Sequence, residues 1–260
     1  MEPENLIKPR NPRPRAILWG FPRGKTVDGE WLDWVCGFMD ETQHVTSMPK
    51  TAGHAGRIDI ARSYLIELGK MNKKFDELMT FDTDVVLHNK RCTGGCEHEL
   101  MSLDRVQEII DEDFELGFDV VHGPTMNKWG QPTFGYSHPE RWLSIRADRC
   151  FPVDWCTGAF LVFSRKAIDH IGPISEITNQ DGSRVKLYCR MLEKVTEDAD
   201  LCANLARCGL TVGADPRLLV GHRKDWDQYV DPKWWVQVQE NVVRQLAERS
   251  DRLAKELMKP

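Results

Sequence analysis

The sequence lacks the features of membrane-bound, secreted and disulfide-stabilised proteins. No segment of its 260 residues approaches the ~18 consecutive apolar residues that a membrane-spanning helix requires. The 8 cysteines make up only about 3% of the chain, far below the density of a disulfide scaffold. The first fifteen residues contain no apolar stretch typical of a secretory signal. We therefore expect a soluble protein without a membrane span, located in the cytoplasm (the host cytoplasm if the protein is viral).

The sequence also lacks an excess of positive charge. It contains 35 Lys and Arg residues against 40 Asp and Glu residues, which gives a net charge of -5. The whole molecule therefore has no general attraction to nucleic acid, although a local basic patch is compatible with this balance. The apolar content of 41% excludes an intrinsically disordered chain, which would bury too little apolar surface to fold.

Strand and helix patterns alternate along the chain. Apolar runs predict strands at 16–21, 77–81 and 118–122, and apolar residues at helical spacing predict helices at 56–71 and 103–116. This order predicts an α/β fold whose central sheet is mostly parallel, with helices on both faces. We expect a flexible basic arm over 1–15, one domain over 16–230, and a long amphipathic C-terminal helix over 231–260 that packs on the same domain.

Two aspartates follow one of the apolar strands. Asp82 and Asp84 are two residues apart, and in a strand such residues point to the same face. The pattern thus predicts two carboxylates at the carboxyl end of a strand, where open α/β sheets bind ligands. Two carboxylates repel each other unless a cation lies between them, and hard oxygen ligands suit Mg²⁺ or Mn²⁺. The alternative is a polar strand end at which one acid caps the next turn.

Two later motifs carry further candidates. Glu197 and Asp198 begin a predicted helix, where they act either as a base or substrate ligand, or only as acids that favour the positive helix end. His222, Arg223 and Lys224 follow an apolar strand. This trio is suited to ligating a metal and holding phosphate, and the alternative is a structural histidine.

The order of these motifs resembles that of glycosyltransferases with the GT-A fold, especially those close to family two. Such enzymes run from an N-terminal strand through a helix with an Ala-Arg-Asn type motif to a strand ending in D-x-D. A Gly-containing strand, a Glu-Asp helix and a closing His follow. The matching residues are Ala61-Arg62-Ser63, Asp82-Thr83-Asp84, Thr157-Gly158-Ala159, Glu197-Asp198 and His222. Ser63 departs from the usual Asn of the first motif.

The resemblance implies a metal-dependent hexosyltransferase, and it extends to the phage enzymes of this fold that modify DNA. It implies transfer of a sugar from a nucleotide-sugar, with a UDP-sugar as first choice, to an acceptor hydroxyl. Asp82, Asp84 and His222 are implied as ligands of Mn²⁺ or Mg²⁺, which stabilises charge on the departing diphosphate. Asp198, and after it Glu197, is implied as the general base of an inverting enzyme. In a retaining enzyme the same acids would orient the acceptor or donor.

The resemblance also implies a set of residues around the donor. Arg62, Arg223 and Lys224 are candidates for phosphate or sugar contacts, and Trp155 offers a flat apolar face. Gly158 allows a close approach of the backbone to the sugar. The full implied donor-binding set is Pro22, Arg23, Arg62, Asp82, Asp154, Trp155, Gly158, Arg223 and Lys224.

Two segments are additions to a minimal enzyme of this type. The loop after D-x-D contains four candidate ligands of a structural Zn²⁺, namely His88, Cys92, Cys96 and His98. Its cysteines lack the usual C-x-x-C spacing, so a surface loop with free thiols is the alternative. The stretch 127–142 is rich in aromatic residues, which either form an acceptor-binding lid or pack onto the sheet.

The sequence leaves the acceptor open. The hydroxyl belongs to a glycan or small molecule, or to a 5-hydroxymethylpyrimidine base in DNA, which some phage enzymes of this fold glycosylate. The basic arm and the stretch 127–146 favour DNA, because a flipped base requires stacking side chains. The alternatives to a glycosyltransferase are a nucleotidyltransferase that uses a nucleoside triphosphate, for which the loop at 20–25 is a partial match, and a non-catalytic nucleotide-sugar-binding protein.

Overall fold

A computed structural model describes most of the predicted domain. The described residues are 17–20, 57–82, 85–88, 101–125, 133–138, 141, 145–146, 148–178, 182–222, 240–241, 244 and 247–248. They form strands β1 (Ile17–Gly20), β2 (Glu77–Phe81), β3 (Val85–His88), β4 (Val120–His122), β5 (Phe134–Gly135), β6 (Phe151–Pro152), β7 (Trp155–Cys156), β8 (Phe160–Ser164), β9 (Ser175–Thr178), β10 (Arg184–Leu187), β11 (Val212–Ala214) and β12 (Leu219–His222). The helices are α1 (Ile58–Met71), α2 (Leu103–Glu115), α3 (Arg165–His170) and α4 (Glu197–Arg207).

A six-stranded sheet forms the centre of the fold, in the order β1-β2-β8-β4-β11-β6. Strands β1, β2, β4 and β11 run in one direction, and β8 and β6 run against them. The remaining strands form three antiparallel pairs, β9 with β10, β3 with β12, and β5 with β7. The carboxyl ends of the four parallel strands therefore meet at one edge, where ligand sites of α/β sheets are found.

Each face of the sheet carries its own apolar core, because neighbouring residues of a strand point to opposite sides. Leu78 of β2 packs with residues of α1, α3 and α4 in one cluster. Its neighbour Met79 packs on the opposite face with residues of α2, β3 and β12. Leu161 and Val162 of β8 divide between the same two clusters. The buried runs of the central strands therefore read as continuous apolar segments rather than as alternating ones.

This architecture confirms the predicted α/β class, the mostly parallel central sheet and the helices on both faces, and it is consistent with a GT-A-like fold. The strand predicted at 77–81 has these bounds, and the helix predicted from residue 56 begins at Ile58. The arm over 1–15 lies outside the described residues, as does most of the C-terminal segment. None of the helices in the described ranges is long and apolar enough to cross a bilayer.

Polar residues cap the first turns of α4 and α2. Thr196 accepts a hydrogen bond from the Ala199 amide at 3.4 Å, as its place before α4 predicts. Ser102 does the same for Arg105 at the start of α2, at 3.3 Å. The first turn of α4 is acidic, which suits the positive end of the helix dipole. The cap therefore fixes the position at which the acids of α4 face the carboxyl edge of the sheet.

Candidate active site

A buried arginine lies at the centre of the candidate site. Arg62 is in the first half of α1 and is only 4% exposed. Its Nη2 donates a hydrogen bond to Asp82 Oδ1 at 3.1 Å, and Asp82 directly follows β2. Its Nη1 lies 2.8 Å from Asp198 Oδ1, and its Nη2 lies 3.9 Å from Glu197 Oε1. Three carboxylates from two distant parts of the sequence thus surround one guanidinium.

The charged groups of this cluster shift one another's pKa values. Burial by itself lowers the pKa of Arg62, but the fields of Asp82, Asp198 and Glu197 outweigh it and raise this pKa above its ordinary value. Burial and the neighbouring Asp198 raise the pKa of Glu197. The cluster thus gathers carboxylate oxygens at a partly enclosed edge, and hard oxygen ligands of this kind suit Mg²⁺ or Mn²⁺.

Gly158 borders the same guanidinium. A Cβ atom at this position would overlap Nη1 and Cζ of Arg62, so a side chain cannot be accommodated without moving the arginine. The next residue, Ala159, accepts a hydrogen bond from the Asp82 amide at 2.9 Å. The segment between β7 and β8 therefore holds both Arg62 and the D-x-D motif in place.

The D-x-D motif lies in the sequence between β2 and β3. Strand β2 ends at Phe81, directly before Asp82, and β3 begins at Val85. Thr83 and Asp84 lie outside the described residues. In the pairing of β12 with β3, the backbone of His222 is opposite Val85, the residue that follows Asp84 in the sequence.

Asp154 directly precedes β7, and Trp155 is the first residue of that strand. Asp154 accepts a hydrogen bond from the Ser137 amide at 2.6 Å and forms an ion pair with Arg141. Its carboxylate therefore has partners within the protein. Trp155 is 40% exposed, and its indole packs against Gly135.

Several predicted site residues have no described position. Those wholly outside the described residues are Pro22, Arg23, Asp84, Cys92, Cys96, His98, Arg223 and Lys224. For His88 and His222 only the backbone is described, in β3 and β12. The zinc prediction for the loop after D-x-D therefore stays a prediction.

The sequence analysis missed His122, which ends β4. It is fully buried, and its Nδ1 lies 3.3 Å from the carbonyl oxygen of Phe160. Its Nε2 has no hydrogen-bond partner among the described residues. Burial lowers the pKa of His122 to about 3, and the charge of Arg62 adds to this effect, whereas the Phe160 carbonyl opposes it. The signal in the sequence is a histidine at the carboxyl end of an apolar strand.

Several buried polar atoms of this region have no hydrogen-bond partner among the described residues. They include Arg62 Nε and Nη1, Asp198 Oδ1, His122 Nε2 and Thr157 Oγ1, and others lie elsewhere in the fold, among them atoms of Asp113 and Arg165. Arg62 Nη1 and Asp198 Oδ1 form an ion pair, but it lacks the geometry of a hydrogen bond. Thr157 directly precedes Gly158. Buried polar groups are normally satisfied, so those of this region are candidates for contacts with a ligand.

A second polar cluster lies away from this site and was also missed. The ligand atoms of Asp113, Cys150 and Asp215 lie within 4.8 Å of one another, a set that is capable of holding a metal. Arg217 donates to Asp113 at 3.2 Å and to Asp215 at 2.7 Å, and so already supplies positive charge. Burial and repulsion by Asp215 raise the pKa of Asp113 to about 9. A raised pKa of this size favours the protonated form of Asp113 at neutral pH.

Comparison with solved structures identifies the fold. A197 from STIV is 15% identical to this chain, with a TM-score of 0.53, and the similarity covers 84% of this chain and 91% of that one. The chain shares its fold with A197 from STIV. A second similarity, to a Drosophila β1,4-galactosyltransferase 7 mutant in complex with manganese, UDP-Gal and xylobiose, has 12% identity and a TM-score of 0.37 and covers 77% of this chain and 64% of that one. At this TM-score, no argument rests on it. The sequence matches no family profile and no curated protein.

Proposed function

We propose that this protein is a metal-dependent glycosyltransferase that transfers a sugar from a nucleotide-sugar, with a UDP-sugar as first choice. The observation that carries the proposal is the convergence of Asp82, Glu197 and Asp198 on Arg62 at the carboxyl edge of the sheet. The residues come from the D-x-D segment, the Glu-Asp helix and the Arg-containing helix. These are the motifs on which the resemblance to GT-A glycosyltransferases rests.

The donor set fits Mn²⁺ or Mg²⁺. Three carboxylates lie beside Arg62, and Asp198 Oδ1 has no hydrogen-bond partner among the described residues, so this edge offers oxygen ligands to a cation. Asp82, Asp84 and His222 would hold the ion in our proposal. When bound, the metal neutralises charge on the diphosphate of the donor. The register of β12 on β3 supports the inclusion of His222.

Arg62 positions the acids of this site. It is too enclosed to reach freely into solvent, and it contacts Asp82 with one nitrogen and Asp198 with the other. We propose that it keeps the metal-binding segment and the start of α4 at a fixed separation. Asp198 then accepts the proton of the acceptor hydroxyl if the reaction inverts configuration, with Glu197 as the second choice.

The acceptor is a hydroxyl group of a glycan, a small molecule or a modified DNA base. Part of the aromatic stretch that motivated the DNA alternative packs inside the protein. Phe134 is buried in the core against Phe151, and Arg141 lies over Tyr136 and pairs with Asp154. These contacts support the interpretation of packing onto the sheet for Phe134. Trp129 and Trp142 lie outside the described residues.

Donor hydrolysis tests the proposal. The protein is incubated with Mn²⁺ and a panel of nucleotide-sugars, and the release of nucleoside diphosphate is measured. We expect release from at least one donor, a loss on the order of 100-fold in Asp84→Ala, and no loss in the control Asp104→Ala, whose side chain is exposed on α2. No release from any donor would refute the proposal. Release of pyrophosphate from a nucleoside triphosphate would instead identify a nucleotidyltransferase.

A further inference from the structure

His122 has a defined protonation pattern. Its Nδ1 faces the Phe160 carbonyl at 3.3 Å, and a carbonyl oxygen only accepts hydrogen bonds. The proton of the neutral ring therefore lies on Nδ1, and Nε2 is a bare acceptor. No described residue donates to this acceptor, although the side chain is completely buried. A buried acceptor of this kind requires a hydroxyl, an N–H group or a water molecule as its partner.

His122 lies close to the centre of the proposed active site. In the sheet it is flanked by Leu161 of β8 and Ala214 of β11, which both belong to the core cluster that contains α1 and α4. Side chains opposite one another across a sheet share a face, so the imidazole is on the side of Arg62 and Asp198. The charge of Arg62 acts on the imidazole. One segment, 158–160, contacts both residues. The carbonyl oxygen of Phe160 accepts the hydrogen bond of His122 Nδ1, and Gly158 borders the guanidinium of Arg62.

Thr157 adds a second polar group of this kind. Its Oγ1 is buried with no hydrogen-bond partner among the described residues, and its backbone amide donates a 2.9 Å hydrogen bond to the Thr133 carbonyl. This part of the structure therefore holds an acceptor on His122, donors on Arg62, and a Thr157 hydroxyl that both donates and accepts. The diphosphate of a nucleotide-sugar is doubly esterified and has no proton to donate to Nε2 at neutral pH. A sugar hydroxyl both donates and accepts a hydrogen bond, so adjacent hydroxyls of a sugar match this mixture of groups.

We infer that His122 binds a hydroxyl of the transferred sugar through Nε2, and that this contact determines which sugars are accepted. The inference rests on the proposed function, because it assumes that a nucleotide-sugar binds at this edge. In this inference, the carboxyl end of β4 recognises the sugar, and the D-x-D motif binds the diphosphate. Sites that hydrogen-bond a substrate hydroxyl discriminate strongly against analogues without it.

NMR of protein labelled with ¹⁵N-histidine tests the contact directly. The His122 signals are assigned by their loss in His122→Gln. We expect the Nδ1-protonated neutral form in the free protein, a shift of the Nε2 signal with UDP-glucose, UDP-galactose or UDP-N-acetylglucosamine, and no such shift with UDP alone. An Nε2 signal that is the same with UDP and with every bound UDP-sugar would overturn the inference.

Kinetics with deoxy-sugars provide the second arm. We expect His122→Met to lower kcat/KM for the preferred UDP-sugar on the order of 10- to 100-fold. Parent and variant should become equal with the donor analogue that lacks the contacted hydroxyl, because the contact is then absent in both. Thr125→Val is the matched control, since it removes a buried hydroxyl bonded to Thr133 at 2.8 Å and should leave the preference among sugars unchanged.

The outcomes separate this inference from the proposed function. If UDP-sugars bind and react, but His122→Met lowers kcat/KM equally for all donors and deoxy analogues, His122 has only a structural role and the inference fails alone. If no nucleotide-sugar of the donor panel binds the parent protein, the proposed function fails and the inference fails with it. Since the NMR experiment uses the parent protein, poor folding of the His122→Met variant does not affect it.

Discussion

At the residue scale, Arg62 accounts for the arrangement of the candidate site. A single buried guanidinium lies beside three carboxylates, and its positive charge compensates theirs in a partly enclosed site. Buried ion pairs cost desolvation energy, and removing one partner leaves the other uncompensated. The arginine is therefore required for the fold of this edge whether or not a ligand is bound.

Replacement of Arg62 by methionine tests this dependence. We expect Arg62→Met to lower the free energy of unfolding by about 3–5 kcal/mol in the presence of a chelator, because three carboxylates lose their cation. Mn²⁺ should restore part of this loss by binding the same carboxylates. Urea denaturation with and without Mn²⁺ measures both effects. The control is Arg141→Met, which removes a half-exposed ion pair and should cost less than about 1 kcal/mol; equal losses in the two variants would contradict this account.

Gly158 provides a second test at a single residue. We expect Gly158→Ala to reduce donor hydrolysis at least about 10-fold and to lower stability by about 1–3 kcal/mol, since its Cβ would displace the guanidinium of Arg62. The matched control is Gly172→Ala, whose Cβ would meet its nearest atom, Cys208 Sγ, at 3.9 Å. Activity assays and thermal unfolding of both variants decide the matter. An active, stable Gly158→Ala would show that the close approach has no role.

At the scale of elements, α4 connects helix capping with the site. Thr196 fixes where the helix begins, and the two residues that follow it, Glu197 and Asp198, face Arg62. A change in the first turn would move both carboxylates together. The cap is therefore a structural feature with a predicted effect on activity.

We expect Thr196→Ala to lower stability by about 1 kcal/mol and also to lower donor hydrolysis, because the first turn of α4 loses its cap. Ser102→Ala removes the equivalent cap of α2, which packs on the other face of the sheet. It should cost a similar stability and leave the activity unchanged. Denaturation curves and hydrolysis rates of the two variants are compared. A parallel loss of activity in both would indicate a general effect of stability.

At the scale of the whole molecule, the Asp113 and Asp215 pair joins α2 to the end of β11. Both carboxylates are fully buried, and Arg217 bridges them. The pKa of Asp113 is raised by burial and by Asp215 to about 9, whereas the ordinary value is 3.8. The folded protein therefore holds a proton that the unfolded chain releases. A pH dependence of the global stability follows from this difference.

The sign of this dependence is fixed by the direction of the shift. Between about pH 4 and pH 9 the unfolded chain binds fewer protons at this position, so the contribution of Asp113 to stability falls as the pH rises. Asp113→Asn keeps a donor for Asp215 and removes the titration. From pH 5 to pH 8 we expect the free energy of unfolding of Asp113→Asn to rise relative to that of the parent, as measured by urea denaturation.

Asp119→Asn is the control of opposite sign. Burial opposes ionisation of Asp119, but Lys166 and Thr211 outweigh it and lower the pKa of this carboxyl. Its contribution to stability is present above the ordinary pKa and is lost in acid. The variant should therefore lose stability relative to the parent at neutral pH. If the difference in free energy of unfolding between Asp113→Asn and the parent does not change with pH, the raised pKa of Asp113 is contradicted.

The sequence by itself determined the alternation of strands and helices and the cap at Thr196, and it singled out Asp82 and Asp198 as candidates, because these follow from local periodicity and side-chain chemistry. Only the tertiary structure decided that Arg62 would face three carboxylates and that Gly158 would lie against it. It also revealed the buried acceptor of His122, which has no partner among the described residues, and the raised pKa of Asp113 beside Asp215. These contacts join residues up to 136 positions apart in the sequence, as between Arg62 and Asp198. Local patterns do not contain such pairings, since the packing of helices on the sheet and the resulting loss of solvent create both the contacts and the shifted pKa values.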